Sequence, residues 1–212
     1  KAWNCQKHKH RQTPADTPAP AGVNYDLWLG PASERTFNRS RFHRHWSWFR
    51  EYSNGDIGND GAHDLDMARF GLGVETHPNR ITAHGSRIHL EGEREYPDNM
   101  MVAYHYDEGK VMLYEDRGWT PYGIYGFDSG NAFYGTEGFM VFSRRGYFQT
   151  YIGKGAGISV GGAGEAVALG DKKGPGMRGG NGHPEHMNNF LDCVKSREQP
   201  IANAEVAHLS CA

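Results

Sequence analysis

The sequence predicts an α+β fold, in which one open, mostly antiparallel β-sheet is covered on one face by helices. Strand-like segments occur as pairs joined by short glycine-containing turns, whereas the helical patterns stand apart from them. Segregated strands and helices of this kind pack as a sheet with a helix layer. The 212 residues fit one domain, and 12% aromatic residues can supply its core although hydrophobic residues make up only 37%.

The N-terminal quarter predicts short elements and irregular connections. Residues 1–7 alternate as a strand with Trp3 and Cys5 on one face. Residues 13–22 contain three prolines and predict an extended connection. Residues 23–30 are apolar and aromatic, which indicates a short helix or turn.

A glycine-rich turn that leads into a helix occupies residues 54–73, and the chain is organised around it. Asp60 is the predicted N-cap, because its carboxylate can accept backbone N–H groups of the first turn. A glycine at position 71 or 73 can end the helix. The residues that repeat at helical spacing are Ala62, Leu65, Arg69 and Phe70.

The remaining chain predicts hairpins followed by helices. Alternation in the first hairpin places Val102, Tyr104 and Tyr106 on one face of the sheet, and Met101 and Ala103 on the other. The predicted segments are a strand at 79–89, strand pairs at 99–106 with 110–117 and 139–143 with 147–152, a glycine-rich surface loop at about 154–182, and helices at 183–197 and 205–212.

Charge and composition argue against several partners. The net charge is -2 with neutral histidines, and the basic residues are scattered, so nucleic acid is not an expected partner. No apolar run is long enough for a membrane span. Three widely separated cysteines predict free thiols and a cytoplasmic protein. Because residues 1–212 begin without methionine and end within a helical pattern, we interpret them as a fragment of a longer chain, whose export remains an open alternative.

Polar side chains crowd the start of the organising helix. Asn59 and His63 lie four residues apart, which predicts one helical face, and Asp56 and Asp60 stand nearby. This arrangement can present a proton-transfer group to a ligand. An ordinary capped helix with a surface histidine explains the same pattern.

Residues 37–52 are the most aromatic part of the chain and include several basic side chains. Aromatic rings beside arginines can hold a sugar ring or a base, and a core segment with solvated basic residues explains the composition equally well. Five histidines could converge on a metal, but no pair has a recognised ligand motif, so no metal site is predicted. These histidines are His43, His45, His63, His183 and His186.

Six segments in order resemble the C-terminal domain of the Gfo/Idh/MocA oxidoreductases, the relatives of glucose–fructose oxidoreductase and inositol dehydrogenase. The resemblance covers nearly the whole chain. The segments are VNYDLWLGP at 23–31, RFH at 41–43, GDIGNDGAHDLD at 55–66, RGW at 117–119, FYGTEG at 133–138 and HMNNFLDCV at 186–194.

The resemblance implies an NAD(P)-dependent oxidoreductase that acts on a CH–OH group of a sugar or polyol. Family members bind NAD or NADP mainly through an N-terminal Rossmann domain, which also carries a catalytic lysine in a Glu-Lys-Pro motif. This chain lacks that domain, and no GxGxxG in it follows a strand and opens a helix. No cofactor-binding residue is therefore predicted, and we expect these residues alone to be inactive. The resemblance also implies a homo-oligomer formed through a sheet face.

The resemblance assigns roles to individual residues. His63 matches the catalytic histidine of the family, whereas Asn59 stands where the family has aspartate. An amide can orient a hydroxyl or an imidazole but cannot take up a proton. Asp60 or Asp56 can substitute, or the lysine of the missing domain carries the proton transfer. The predicted catalytic residues are His63 and Asn59, and the predicted substrate-binding residues are Asp60, Asp56, Arg41, His43, Trp46 and Tyr125.

Two other functions stay open at this point. Some relatives with this fold are NAD-dependent glycosidases, which cleave glycosidic bonds through transient oxidation. A non-catalytic carbohydrate-binding or scaffold module is the third reading, and Asn59 in place of aspartate favours it slightly.

Overall fold

The computed structural model describes residues 1–10, 13–153, 172–178 and 182–211. Its strands are β1 (Ala2–Cys5), β2 (Arg80–Ser86), β3 (Asn99–His105), β4 (Val111–Arg117), β5 (Ser129–Gly135), β6 (Gly138–Ser143), β7 (Tyr147–Ile152) and β8 (Lys172–Arg178). Its α-helices are α1 (Tyr25–Leu29), α2 (Gly61–Leu72), α3 (His183–Ser196) and α4 (Ala204–Cys211).

The strands described form one sheet in the order β2-β3-β4-β1-β5-β6-β7-β8. Strand β1 lies in the middle, parallel to β4 and antiparallel to β5. Every other neighbouring pair is antiparallel. The predicted open, mostly antiparallel sheet is therefore confirmed, with one parallel pair at its centre.

Helix α2 crosses the middle of the sheet, where it contacts β1, β4 and β5. Leu65 and Ala68 of this helix pack against Ala2, Val102 and Tyr114 in the main core. The predicted alternation of β3 is confirmed, because Val102 is buried on this face and Met101 is exposed on the opposite one.

We call the face opposite α2 the open face. Beneath the loop before β5 it holds a second core of Trp3, Cys5, Ala132 and Val141. Along β3 and β4 it exposes apolar side chains instead, among them Leu113.

The ends of α2 confirm one prediction and correct two. Gly73 ends the helix in the left-handed region at φ 61°, where its N–H bonds to the carbonyls of Arg69 and Phe70. Asp60 precedes the helix, but its side chain makes no capping hydrogen bond. Leu65 and Arg69 of the predicted repeat are buried, but Phe70 is 86% exposed and does not belong to the buried face.

The segment predicted as a glycine-rich loop at 154–182 contains strand β8. This strand pairs with β7, because the open edge of β7 offers backbone hydrogen bonds that do not depend on an apolar side-chain pattern. The rest of that segment, apart from Gly182, lies outside the described residues.

Helices α3 and α4 confirm the predicted C-terminal helices, and the three cysteines are free thiols. None of the described helices is long and apolar enough to cross a membrane.

Candidate active site

A polar cleft of about 590 Å³ opens beside the turn that precedes α2. Three segments form it, namely the chain leaving β1, the aromatic segment and the turn itself. Its lining residues are Gln6, Lys7, His8, Lys9, Arg44, His45, Trp46, Ser47, Trp48, Asp56, Asn59, Asp60 and Arg94. This polar cleft combines carboxylates, an amide, cations and aromatic rings in one small space.

Both carboxylates of the polar cleft are held by β1 and the chain that leaves it. Asn4 Nδ2 donates to Asp56 Oδ2 at 3.1 Å, and His8 Nε2 lies 3.3 Å from the same oxygen. Gln6 Nε2 donates to Asp60 Oδ2 at 2.6 Å. Alternation along β1 points Asn4 to the α2 side, and the chain beyond it carries Gln6 and His8 past the turn.

Tryptophans form the opposite wall of the polar cleft. Trp46 is 42% exposed, so its ring is open to a ligand, whereas Trp48 is buried. The guanidinium of Arg94 lies 4.4 Å from the centre of the Trp48 ring, and the His8 ring meets the same ring edge-on at 4.7 Å. Trp48 is therefore held in place by its neighbours, and Trp46 provides the exposed aromatic surface of this wall.

A second cavity, of about 1080 Å³, is lined by the first two turns of α2, and we call it the histidine groove. His63 lines it together with residues of the β6–β7 turn, α3 and α4. His183 and His186 also line this groove. The polar cleft and the histidine groove meet at an ion pair, because Arg144 Nη2 of the groove donates to Asp60 Oδ1 of the cleft at 3.3 Å.

Two buried carboxyl groups lie beneath these cavities. Asp64 has no exposed surface, and neither of its oxygens has a hydrogen-bond partner among the described residues. Burial raises the pKa of Asp64 to about 7, although Arg144 Nε at 3.9 Å favours the ionised form. Burial, together with the carboxylates of Asp56 and Asp60, raises the pKa of Asp116 to about 8. Burial therefore favours the protonated form of both carboxyl groups.

The structure brings four of the predicted site residues together and separates the predicted catalytic pair. Asp56, Asn59, Asp60 and Trp46 line the polar cleft, whereas His63 lines the histidine groove. Helix α2 begins at Gly61, so Asn59 belongs to the preceding turn. The four-residue spacing consequently does not place Asn59 and His63 on one helical face.

Three predicted substrate-binding residues lie outside both cavities. Arg41 is 3% exposed, and its guanidinium bonds to Asp16, Glu93 and the carbonyl of Thr36. Arg41 therefore connects neighbouring loops and has a structural role.

His43 is exposed beside the ring of Phe42, away from the polar cleft. Tyr125 packs against Trp3 and Phe139 on the open face, and its hydroxyl lies 2.9 Å from that of Tyr134.

Sequence reasoning missed the residues that the chain leaving β1 contributes to the polar cleft. These residues are Gln6, Lys7, His8 and Lys9. The signal was the run of basic residues after the first strand, which is typical of a solvated loop when read alone. Only the sheet order shows that this run leaves the central strand directly beside α2.

The described residues do not fit the nucleotide half of a dinucleotide cofactor. The glycine-rich turn before α2 follows the aromatic segment rather than a strand, so it is not a pyrophosphate-binding βα turn. A GxGxxG pattern at residues 174–179 has its first five residues in strand β8. Within the ranges described, no three His, Cys, Asp or Glu side chains group as a metal site.

Comparison with known proteins identifies the domain. Residues 2–124 match the model of the Gfo/Idh/MocA oxidoreductase family, C-terminal alpha/beta domain. No curated protein matches the chain. The matched residues include the central strand β1 and helix α2.

Three solved structures share the fold, each with a TM-score of 0.53. An oxidoreductase from Thermotoga maritima is 13% identical over 92% of this chain and 45% of its own. Levoglucosan dehydrogenase, in complex with NADH and levoglucosan, is 17% identical over 78% and 48%. An NAD binding oxidoreductase from Klebsiella pneumoniae is 18% identical over 78% and 48%. The chain spans about half the length of each structure.

Proposed function

Because the chain belongs to the Gfo/Idh/MocA oxidoreductase family as a C-terminal domain, we propose that it forms the substrate side of an NAD(P)-dependent sugar or polyol dehydrogenase. One observation carries the proposal. The polar cleft places an exposed tryptophan beside hydroxyl-binding carboxylates and an amide, and it adjoins the groove that holds His63. A polar cleft with an aromatic wall suits a ring that bears many hydroxyl groups.

His63 is the acid–base residue of the proposed site. Its side chain is exposed in the first turn of α2, so a substrate hydroxyl can reach it. Removal of a hydroxyl proton must accompany oxidation of a CH–OH group, and an imidazole suits this task near neutral pH. Asn59 can donate to or accept from a neighbouring hydroxyl, which makes it a positioning residue.

The sugar ring is held by the remaining walls of the polar cleft. Asp56 is held through its Oδ2 and Asp60 through both oxygens, and the remaining lone pairs of these carboxylates can accept hydroxyl groups. Trp46 offers its exposed ring as a stacking surface. Fixed partners of this kind reduce the entropy lost when the substrate is oriented.

NAD or NADP completes the proposed enzyme and would accept the hydride. We assign its binding to a Rossmann domain in the half of the relatives' length that this chain does not span. Homo-oligomerisation through the open face is part of the same proposal, and its support is the exposed apolar surface along β3 and β4.

The test is hydride transfer by the intact protein. A panel of sugars and polyols is supplied with NAD or NADP, and the reduced nicotinamide is followed by absorbance. We expect His63→Ala to lower kcat by about 10²–10⁴-fold, the usual contribution of an acid–base residue. His77→Ala is the matched control, because His77 is an exposed histidine between α2 and β2 that lines neither cavity.

Equal losses in both histidine variants would contradict the assignment of His63. Carbohydrate binding by the intact protein with no hydride transfer to either nucleotide would replace the dehydrogenase with a binding module. Release of free sugar from a glycoside, with the cofactor retained through turnover, would instead establish a glycosidase.

A further inference from the structure

The charge balance of the polar cleft points to the class of its substrate. We infer that the cleft binds a sugar that carries an anionic group, either a carboxylate or a phosphate. This inference rests on the proposed function, since it concerns the same site. Its support comes from comparing which charged side chains in the cleft are already partnered and which are not.

The carboxylates of the cleft are partnered. Asp56 is contacted by Asn4 and His8, and Asp60 is contacted by Gln6 and Arg144. Both sit in polar contacts at 2.6–3.3 Å, and Asp60 is also ion-paired with Arg144. Their remaining lone pairs can accept hydroxyl groups of a ligand.

Three cations of the cleft are not partnered. Lys7, Lys9 and Arg44 are exposed, and no side-chain hydrogen bond or ion pair joins any of them to another residue in the described ranges. Arg94 differs, because it is buried, donates to the carbonyl of Lys9 at 3.0 Å and rests on Trp48. The cleft therefore presents three exposed positive charges to a ligand.

These cations come from two distant segments that the fold brings to one cavity. Lys7 and Lys9 follow the central strand, and Arg44 lies in the aromatic segment beside Trp46. A cleft with an excess of one charge sign raises the local concentration of counter-charged ligands. Arginine forms paired hydrogen bonds with carboxylate or phosphate, and lysine adds a compact charge.

The dimensions of the cleft allow a ring and an anionic substituent at once. Its volume of about 590 Å³ falls within the range of about 300–1,000 Å³ that small-molecule pockets occupy. Trp46 can stack on the sugar ring while Lys7, Lys9 and Arg44 surround the anion. A neutral sugar would leave the three cations without a counter-charge in the bound state.

Isothermal titration calorimetry of the intact protein tests this inference directly. The probes are D-glucuronate, D-glucose 6-phosphate and D-glucose, which share a ring and differ in the substituent at C6. We expect at least one anionic sugar to bind at least tenfold more tightly than glucose, since a hydrogen bond to a charged group is worth about one order of magnitude or more. The preferred anion distinguishes a carboxylate from a phosphate substrate.

Charge-neutralising variants identify the cations responsible. Combining Lys7→Gln, Lys9→Gln and Arg44→Gln should abolish the preference for the anionic sugar. Lys110→Gln is the control. Lys110 is a cation that precedes β4, at the end of the strand farthest from Arg117, and it does not line the cleft. The control should retain the tenfold preference, and the preference should weaken with added salt because exposed charges are screened.

Glucose that binds as tightly as both anions would overturn the inference, as would no binding of either anion. A preference that survives in the triple variant would overturn it too. These outcomes are separate from failure of the proposed function. An anionic sugar that binds tightly but is never oxidised keeps this inference and removes the dehydrogenase, whereas oxidation of a neutral sugar without anionic preference does the reverse.

Discussion

The two faces of strand β4 differ sharply in solvent exposure, and their residues alternate along its seven positions. Tyr114 on the α2 face is 1% exposed, whereas Leu113 beside it on the open face is 48% exposed. Asp116 follows Tyr114 into the covered face, where burial raises its pKa. The covered face of the sheet thus carries a carboxyl group inside, and the open face carries an apolar residue outside.

This inversion separates two tasks. The covered face supports the polar cleft, and its buried carboxyl groups carry a free-energy cost of desolvation. On the open face the buried carboxylate of Glu115 is ion-paired with Lys1 and Arg117, whereas the exposed side chains of Met101 and Leu113 favour contact with another surface. Residues one position apart are therefore expected to respond differently to substitution.

The largest expected difference is between Tyr114→Ala and Leu113→Ala. Tyr114 packs against α2 in the main core, so its truncation removes a fully buried ring and leaves a cavity. We expect it to lower the free energy of unfolding by about 3–5 kcal/mol. Leu113→Ala should cost less than about 1 kcal/mol, because half of that side chain is already in water. Urea unfolding of both variants measures the contrast, and equal losses would refute it.

The next effect concerns pH. The folded pKa values of Asp64 and Asp116 are about 7 and about 8, whereas each carboxyl has an ordinary value of 3.8. Near neutral pH the folded state therefore holds protons that the unfolded state has released. The contribution of these groups to stability consequently falls as the pH rises from about 4 through the two folded pKa values.

Replacing Asp116 by Asn should remove its part of this pH dependence. We expect the variant to be more stable than the parent by on the order of 1–3 kcal/mol at about pH 8, and closer to it at about pH 5. Glu108→Gln is the control, since Glu108 is exposed on the β3–β4 turn. A difference between variant and parent that does not change with pH would show that Asp116 is ionised throughout.

The smallest effect on stability is expected on the open face. Leu113→Arg should change the free energy of unfolding by less than about 0.5 kcal/mol, as for most surface substitutions. If the open face joins copies of the protein, the same variant should reduce the molar mass measured by light scattering. An unchanged oligomer in this variant would place the interface elsewhere.

The sequence predicted the sheet well because its hairpins are local. The β3–β4 and β6–β7 pairs combine alternation with a short glycine turn, so pairing partners are adjacent in the chain. Strands β5 and β8 were not predicted. Strand β5 begins at the end of a tyrosine- and glycine-rich stretch that is typical of a loop, and the glycines and lysines of β8 have no alternation, so its pairing depends on the edge of β7. The end of α2 was predicted because Gly73 has a specific conformational role.

The site was harder to predict because it is assembled from distant segments. Asp56, Asn59 and Asp60 were found through one motif, but the residues around His8 were found only in the fold. Arg41 has the same side chain as Arg44, but Arg41 is buried and bonded to Glu93 and Asp16, whereas Arg44 is exposed in the cleft. Composition cannot distinguish these two arginines, since their difference lies in which loops pack over them.

The central position of β1 determines the order in which this domain can be completed. Residues 2–5 pair with residues 114–117 on one side and with residues 129–131 on the other. During synthesis the first strand thus waits for more than a hundred further residues, roughly ten seconds at typical ribosome speeds. Until then, Trp3 and Cys5 have no neighbouring strands to pack with. Because β1 connects β4 to β5, the two halves of the sheet can pair only after most of the domain has been synthesised.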